Sequence, residues 1–146
     1  MARRIPFERL GCVDVCAPVP SHPARLLDRG LDIALALAKG LTQGQKWSIA
    51  SDLLVRRHLG IPQNELGREE RLHNVMHVFG PGTGVAAAGV AGDAGTVDKP
   101  LNVLLVDDVV TTGATLDACA SILEARGHRV VLAALAFRRE IFQRTG

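Results

Sequence analysis

Tyrosine is absent from this sequence and tryptophan occurs once, so aromatic residues make up only 3% of its 146 positions. A core built from such a chain is aliphatic, and a groove that stacks single-stranded bases on aromatic rings is not indicated. No charge sign dominates: 17 Lys and Arg stand against 15 Asp and Glu, a net charge of +2. The basic residues form small groups, Arg3-Arg4, Arg56-Arg57 and Arg138-Arg139, with acids among them. That balance argues against direct binding to nucleic acid or to a membrane surface. Cysteine occurs three times, an odd number that gives no disulfide framework and points to a reducing cytoplasm. Cys12 and Cys16 are spaced C-x3-C, but no second pair completes a zinc site. No apolar run approaches the roughly 18 residues that span a bilayer. The start, MARRIPFERLG, lacks the apolar centre of a signal peptide.

What is present fits one soluble domain over residues 1–146. A chain of this size typically buries about 70% of its unfolded surface. Strand-like and helix-like patterns alternate. Val13 to Val19 reads as a strand, and Ser21-His22-Pro23 then offers helix-capping chemistry. Leu27, Leu31, Ala34, Leu35 and Ala38 recur at helical spacing, which predicts one helix ending near Gly40 or Gly44. Trp47 to Val55 is a second strand candidate. Arg68 to Phe79 reads as a weak helix or a loop, and Gly80 to Pro100, rich in glycine and alanine, as a surface loop or loose hairpin. Leu101 to Val106 is an unbroken apolar strand, as expected where both sheet faces are covered. Ala114 to Arg126 predicts a helix with Leu116, Cys119, Ala120 and Leu123 on one face and Gly127 as its stop. Arg129 to Phe137 predicts another strand. The order implies an α/β fold, a mostly parallel twisted sheet flanked by helices.

The chemistry concentrates in VLLVDDVVTTGAT, residues 103–115. Ligands of open parallel sheets bind beyond the carboxyl ends of the strands, and Asp107 and Asp108 follow such an end. The next turn leads into a helix, whose N-terminus presents free N–H groups and a partial positive charge. Gly113 allows close backbone approach, and Thr111, Thr112 and Thr115 supply hydroxyl donors. An anion-binding turn thus lies next to an acidic pair that accepts hydrogen bonds from vicinal hydroxyls. A sugar phosphate matches both zones. The stretch is not a Walker loop, which requires G-K-[ST].

VLLVDDVVTTGAT resembles the phosphoribosyl-pyrophosphate (PRPP) motif of type I phosphoribosyltransferases. Two further stretches are similar to the ComF family within that class. CAPVPSHPARLLDRG, residues 16–30, is similar to its first-strand loop. Gln63, Leu66, Arg71 and Asn74 in QNELGREERLHN match a pattern upstream of its PRPP strand. The resemblance covers about Val15 to Phe137. It implies that Asp107 and Asp108 hold the ribose hydroxyls, that Thr111, Thr112, Gly113, Ala114 and Thr115 form the 5′-phosphate loop, and that Val109 and Val110 between them belong to the same PRPP-binding stretch. It also implies a type I phosphoribosyltransferase-like fold with a minimal hood, formed from residues before Val13, after Phe137 and in the 56–80 segment. The chain departs from the family at Leu31, Asp32 and Ile33, where an aromatic and Asn-Gln are common, and it lacks the four-cysteine module of longer members. Thr111 stands where hypoxanthine-guanine enzymes carry an aspartate, which disfavours a 6-oxopurine acceptor.

The implied activity is transfer of a phosphoribosyl group from Mg-PRPP to an unidentified nitrogen nucleophile, with release of pyrophosphate. Ser21, His22 and Arg25 would serve the pyrophosphate end, Arg25 forking onto phosphate oxygens as a catalytic group with Asp107 and Asp108. Arg68 and Arg71 are candidates for a closing lid. Mg²⁺ arrives with PRPP, and no separate protein metal site is expected. A homodimer is compatible with the sequence. The alternative is a non-catalytic protein that binds PRPP or a ribose 5-phosphate-containing nucleotide, a sensor or scaffold of the DNA-uptake type. His73 and His77, at i and i+4, read as packing residues, and GPGTGVAAAG at 80–89 lacks the context of a dinucleotide site.

Overall fold

In chain order, the elements are β1 (Val15–Pro18), α1 (Pro23–Arg29), α2 (Ile33–Thr42), β2 (Ser48–Ile49), β3 (Leu54–Arg56), β4 (Phe79–Pro81), β5 (Asn102–Val110), α3 (Ala114–Ala125) and β6 (Arg129–Phe137). The computed structural model describes residues 13–57, 78–83 and 99–137. Four strands form a parallel sheet in the order β2-β1-β5-β6, while β3 and β4 form a separate antiparallel pair. The fold is α/β, with the parallel sheet flanked by helices.

Alternation along β5 assigns the two sheet faces. Val103 and Leu105 pack with Leu116, Cys119, Ala120 and Leu123 of α3, and with Leu53, Leu54 and Phe79 from around the β3–β4 pair. Leu104 and Val106 pack on the other face with Cys16 and with Ala38 of α2. Burial of β5 on both faces explains its unbroken apolar run. The thiols of Cys16 and Cys119 are buried, and burial pushes them up to about 11 and about 12. Both behave as small core hydrophobes. His128, also buried, pins the start of β5: its Nδ1 accepts the Leu101 N–H at 3.1 Å.

Three sequence expectations need correction. The single helix after β1 is two helices. Gly30 takes a left-handed conformation (φ 63°) and closes α1 by donating to the Leu26 carbonyl at 2.9 Å. Asp32 then caps α2 by accepting from the Leu35 N–H at 3.0 Å. The chain turns between Leu27 and Ala34, so the apolar stripe is broken, and Leu27 is 86% exposed. The Trp47–Val55 candidate is likewise two short strands in different sheets, separated by a turn. Phe79, Gly80 and Pro81, expected at a helix end and in a loop, form β4 because they pair with β3 in register Arg56↔Phe79. The rest of the 68–79 and 80–100 expectations falls almost entirely outside the described residues, as do His73, His77, Arg68, Arg71, Gln63, Leu66 and Asn74, and the hood segments beyond 13 and 137. No helix among the described residues is long and apolar enough to cross a membrane.

The two sets of leucines should separate cleanly on mutation. Leu105 is fully buried, and Leu105→Ala should cost about 2–5 kcal/mol in a denaturant melt. Leu27→Ala should change stability by no more than about 0.5 kcal/mol.

Candidate functional site

The sheet order creates a crevice. From β1 the chain passes through α1 and α2 to β2 on one side, and from β5 through α3 to β6 on the other. The connections therefore diverge between β1 and β5, the switch point at which open parallel sheets bind ligands. β1 ends at Pro18, paired with Val106, and the Val19 N–H donates to the Val106 carbonyl at 2.8 Å. β5 continues to Val110 because β6 keeps pairing, with Asp107 opposite Ala134 and Val110 opposite Phe137. The acids therefore lie within β5, on a stretch whose β1-side edge has been vacated, rather than after the strand as the apolar run suggested.

The two carboxyls differ. Asp107 is half-buried and its Oδ1 accepts from the Asp108 N–H at 2.8 Å. Asp108 is buried; its Oδ1 accepts from the Val109 N–H at 2.8 Å and its Oδ2 from Arg29 Nη1 at 2.9 Å. Burial, then the neighbouring Asp108, pushes Asp107 up to about 6, although the Asp108 N–H opposes the rise. Burial also acts to raise Asp108, but the Val109 N–H, a proton shared with Asp107, Arg29 and the nearby Arg25 charge outweigh it and hold Asp108 below its ordinary value. At mildly acid pH the pair thus carries one proton, on Asp107, and one negative charge, on Asp108.

Asp107 and residues 109–116 line a shallow hollow open to solvent. Gly113, with φ 85°, stands at the N-cap of α3 and has no side chain to cap it. Thr112 Oγ1 accepts from the Ala114 N–H at 3.3 Å. The other first-turn N–H groups of α3 have no acceptors within the helix. Thr111 and Thr112 are exposed, and Thr115 is half-buried. Val109 is partly exposed on the hollow's wall, whereas Val110 turns its side chain into the core. Asp117 in the first turn is the one acid of that helix end.

Opposite the hollow lie α1 and the loop before it. The side chains predicted there are engaged in building helix starts: Ser21 Oγ donates to Asp32 Oδ1 at 3.0 Å, and His22 Nδ1 accepts from the Ala24 N–H at 3.1 Å. Asp32, a departure from the ComF pattern, thus joins the two helix starts. Arg25 is exposed and acts on both acids through its charge.

Two site cations escaped the sequence reading. Arg29 lies one helical turn after Arg25 and is the residue that reaches Asp108. Arg29 is the last residue of α1, and its i, i+4 spacing from Arg25 was the available signal. Arg56 is half-buried, lies over the Phe79 ring at 4.7 Å and donates from Nε to the Pro20 carbonyl at 3.4 Å. Burial lowers its pKa, and Asp107 and Arg25 both lie within electrostatic range of it. No local pattern announces Arg56, since β3 and β4 bring it in from 36 residues beyond Pro20.

Among the described residues no three His, Cys, Asp or Glu side chains converge to hold a metal ion. The arrangement suits an anionic ligand that also bears hydroxyls: first-turn helix N–H groups on one side of the acids, and three arginines on the other. No protein-family model matches the chain, and no curated protein matches it.

The raised Asp107 predicts an unusual pH response. A carboxyl whose folded value exceeds its ordinary 3.8 stabilises the fold below that pH and loses this contribution as pH rises through about 6. Stability measured by urea titration should therefore fall by on the order of 1 kcal/mol between pH 4 and pH 7, solvent screening of the half-exposed group included. Asp107→Asn, which keeps the acceptor for the Asp108 N–H, should abolish that fall.

Proposed function

We propose that the chain is a phosphoribosyltransferase-type protein that binds Mg-PRPP and transfers the phosphoribosyl group to a nitrogen nucleophile, on a type I phosphoribosyltransferase-like fold. The observation that carries this reading is the division of one crevice into a glycine-led helix start and an acidic pair, with arginines beyond the pair. The 5′-phosphate takes the 111–115 turn, where backbone N–H groups and the helix dipole favour an anion. The ribose 2′ and 3′ hydroxyls take Asp107 and Asp108. The diphosphate then faces Arg25, Arg29 and Arg56, and Mg²⁺ travels with it as part of the substrate.

In the reaction the lone pair of the nitrogen attacks the anomeric carbon as the bond to the pyrophosphate oxygen breaks. Pyrophosphate leaves with the electron pair of the broken C–O bond, and the nitrogen passes its proton to solvent. Positive charge develops on the ring carbon and oxygen, and in this reading the ionised Asp108 stabilises it. Arginines stabilise the charge on the leaving group. The crevice contributes chiefly orientation.

Calorimetry with PRPP and Mg²⁺ tests the reading. Micromolar-range binding is expected, weakened by at least about 30-fold in Asp107→Asn/Asp108→Asn as two charge-assisted contacts are lost. Gly113→Ala, strained at its positive φ, should also weaken binding while leaving the sheet intact. Undetectable binding by the native chain would reject the proposal. Binding without pyrophosphate release across a panel of nitrogen acceptors would instead assign the non-catalytic sensor or scaffold role.

A further inference from the structure

Both oxygens of Asp108 are engaged, one by the Val109 N–H and the other by Arg29. A vicinal diol that seeks this carboxylate meets a cation already on it. The Asp108 side chain is only 12% exposed, so its attraction to Arg29 is poorly screened. Arg29, in contrast, is 47% exposed and projects from α1, a helix that buries none of its residues. Nothing on its own helix packs it in place, and its planar fork fits phosphate oxygens as well as a carboxylate.

We propose that Arg29 is a specificity-determining latch: it occupies Asp108 until a second anionic group of the ligand draws it away. The inference rests on the PRPP reading above and deepens it. A pentose with only a distal phosphate reaches the 111–115 turn but leaves Arg29 on Asp108. A pentose that also carries a diphosphate near α1 gives the guanidinium a new partner and frees the carboxylate for the hydroxyls. The site thereby favours the substrate over ribose 5-phosphate, although both bear the same diol and the same distal phosphate.

Arg25, one turn earlier on the same helix, makes a charge-matched control because it acts on Asp108 only through space. Binding of ribose 5-phosphate, pyrophosphate with Mg²⁺, and PRPP with Mg²⁺ would be measured calorimetrically for the native chain, Arg29→Gln, Arg29→Lys and Arg25→Gln. The expected result is that Arg29→Gln binds ribose 5-phosphate about tenfold more tightly than Arg25→Gln does, equivalent to about 1.4 kcal/mol. Both should lose affinity for pyrophosphate. Arg29→Lys, which keeps the charge without the fork, should fall between the native chain and Arg29→Gln. Equal ribose 5-phosphate affinities in Arg29→Gln and Arg25→Gln, with native PRPP binding intact, would overturn the latch and leave the proposed function standing. Failure of every form to bind PRPP or ribose 5-phosphate would remove both.

Discussion

β1 pairs with β5 over four positions and stops at Pro18, level with Val106. This early end has two effects. It leaves the next stretch of β5, which carries both aspartates, without a neighbour on that side. It also directs the chain leaving β1 across the vacated edge, through Ser21 and His22 into α1. Proline suits the position, since it supplies no N–H to continue a ladder. With β6 paired along the same stretch, the acids are held by a regular strand on one flank and open to a loop and an arginine on the other.

Two carboxyls side by side in a half-dry crevice do not both ionise readily, and the surrounding groups decide which one does. Val109 and Arg29 donate to Asp108, and burial favours the proton on Asp107. Below about pH 6 the pair therefore offers a ligand one neutral donor and one charged acceptor, an asymmetry that two identical residues in a sequence do not disclose.

The strands and helix that depend on local pattern were legible in the sequence. The α3 face of Leu116, Cys119, Ala120 and Leu123 is buried as its spacing implies, and β6 spans the same residues as its apolar run. The turn before α3 was also readable, because Gly113 takes its left-handed conformation where it stands. Legibility failed where distant parts of the chain decide. Helical spacing from Leu27 to Ala38 hid the break at Gly30, which caps one helix while Asp32 starts another. Phe79 became a strand residue through its partner Arg56. Arg29 acquired a role from an acid 79 positions away. The residues that gather around the acids thus come from four separate elements, and their types alone do not reveal the meeting.

The register Val15↔Val103 carries a consequence for the chain as it is made. During synthesis β1 emerges early, yet its principal neighbour follows only after α1, α2 and the three short strands β2, β3 and β4 have left the ribosome. Until then one long side of β1 remains open, with only two-residue β2 available on the other. The segment β5–α3–β6, contiguous in sequence, assembles from nearer contacts. Among the described residues the crevice thus rests on the strand pairing that spans the most chain, while each of its neighbours in the sheet is joined across a shorter stretch.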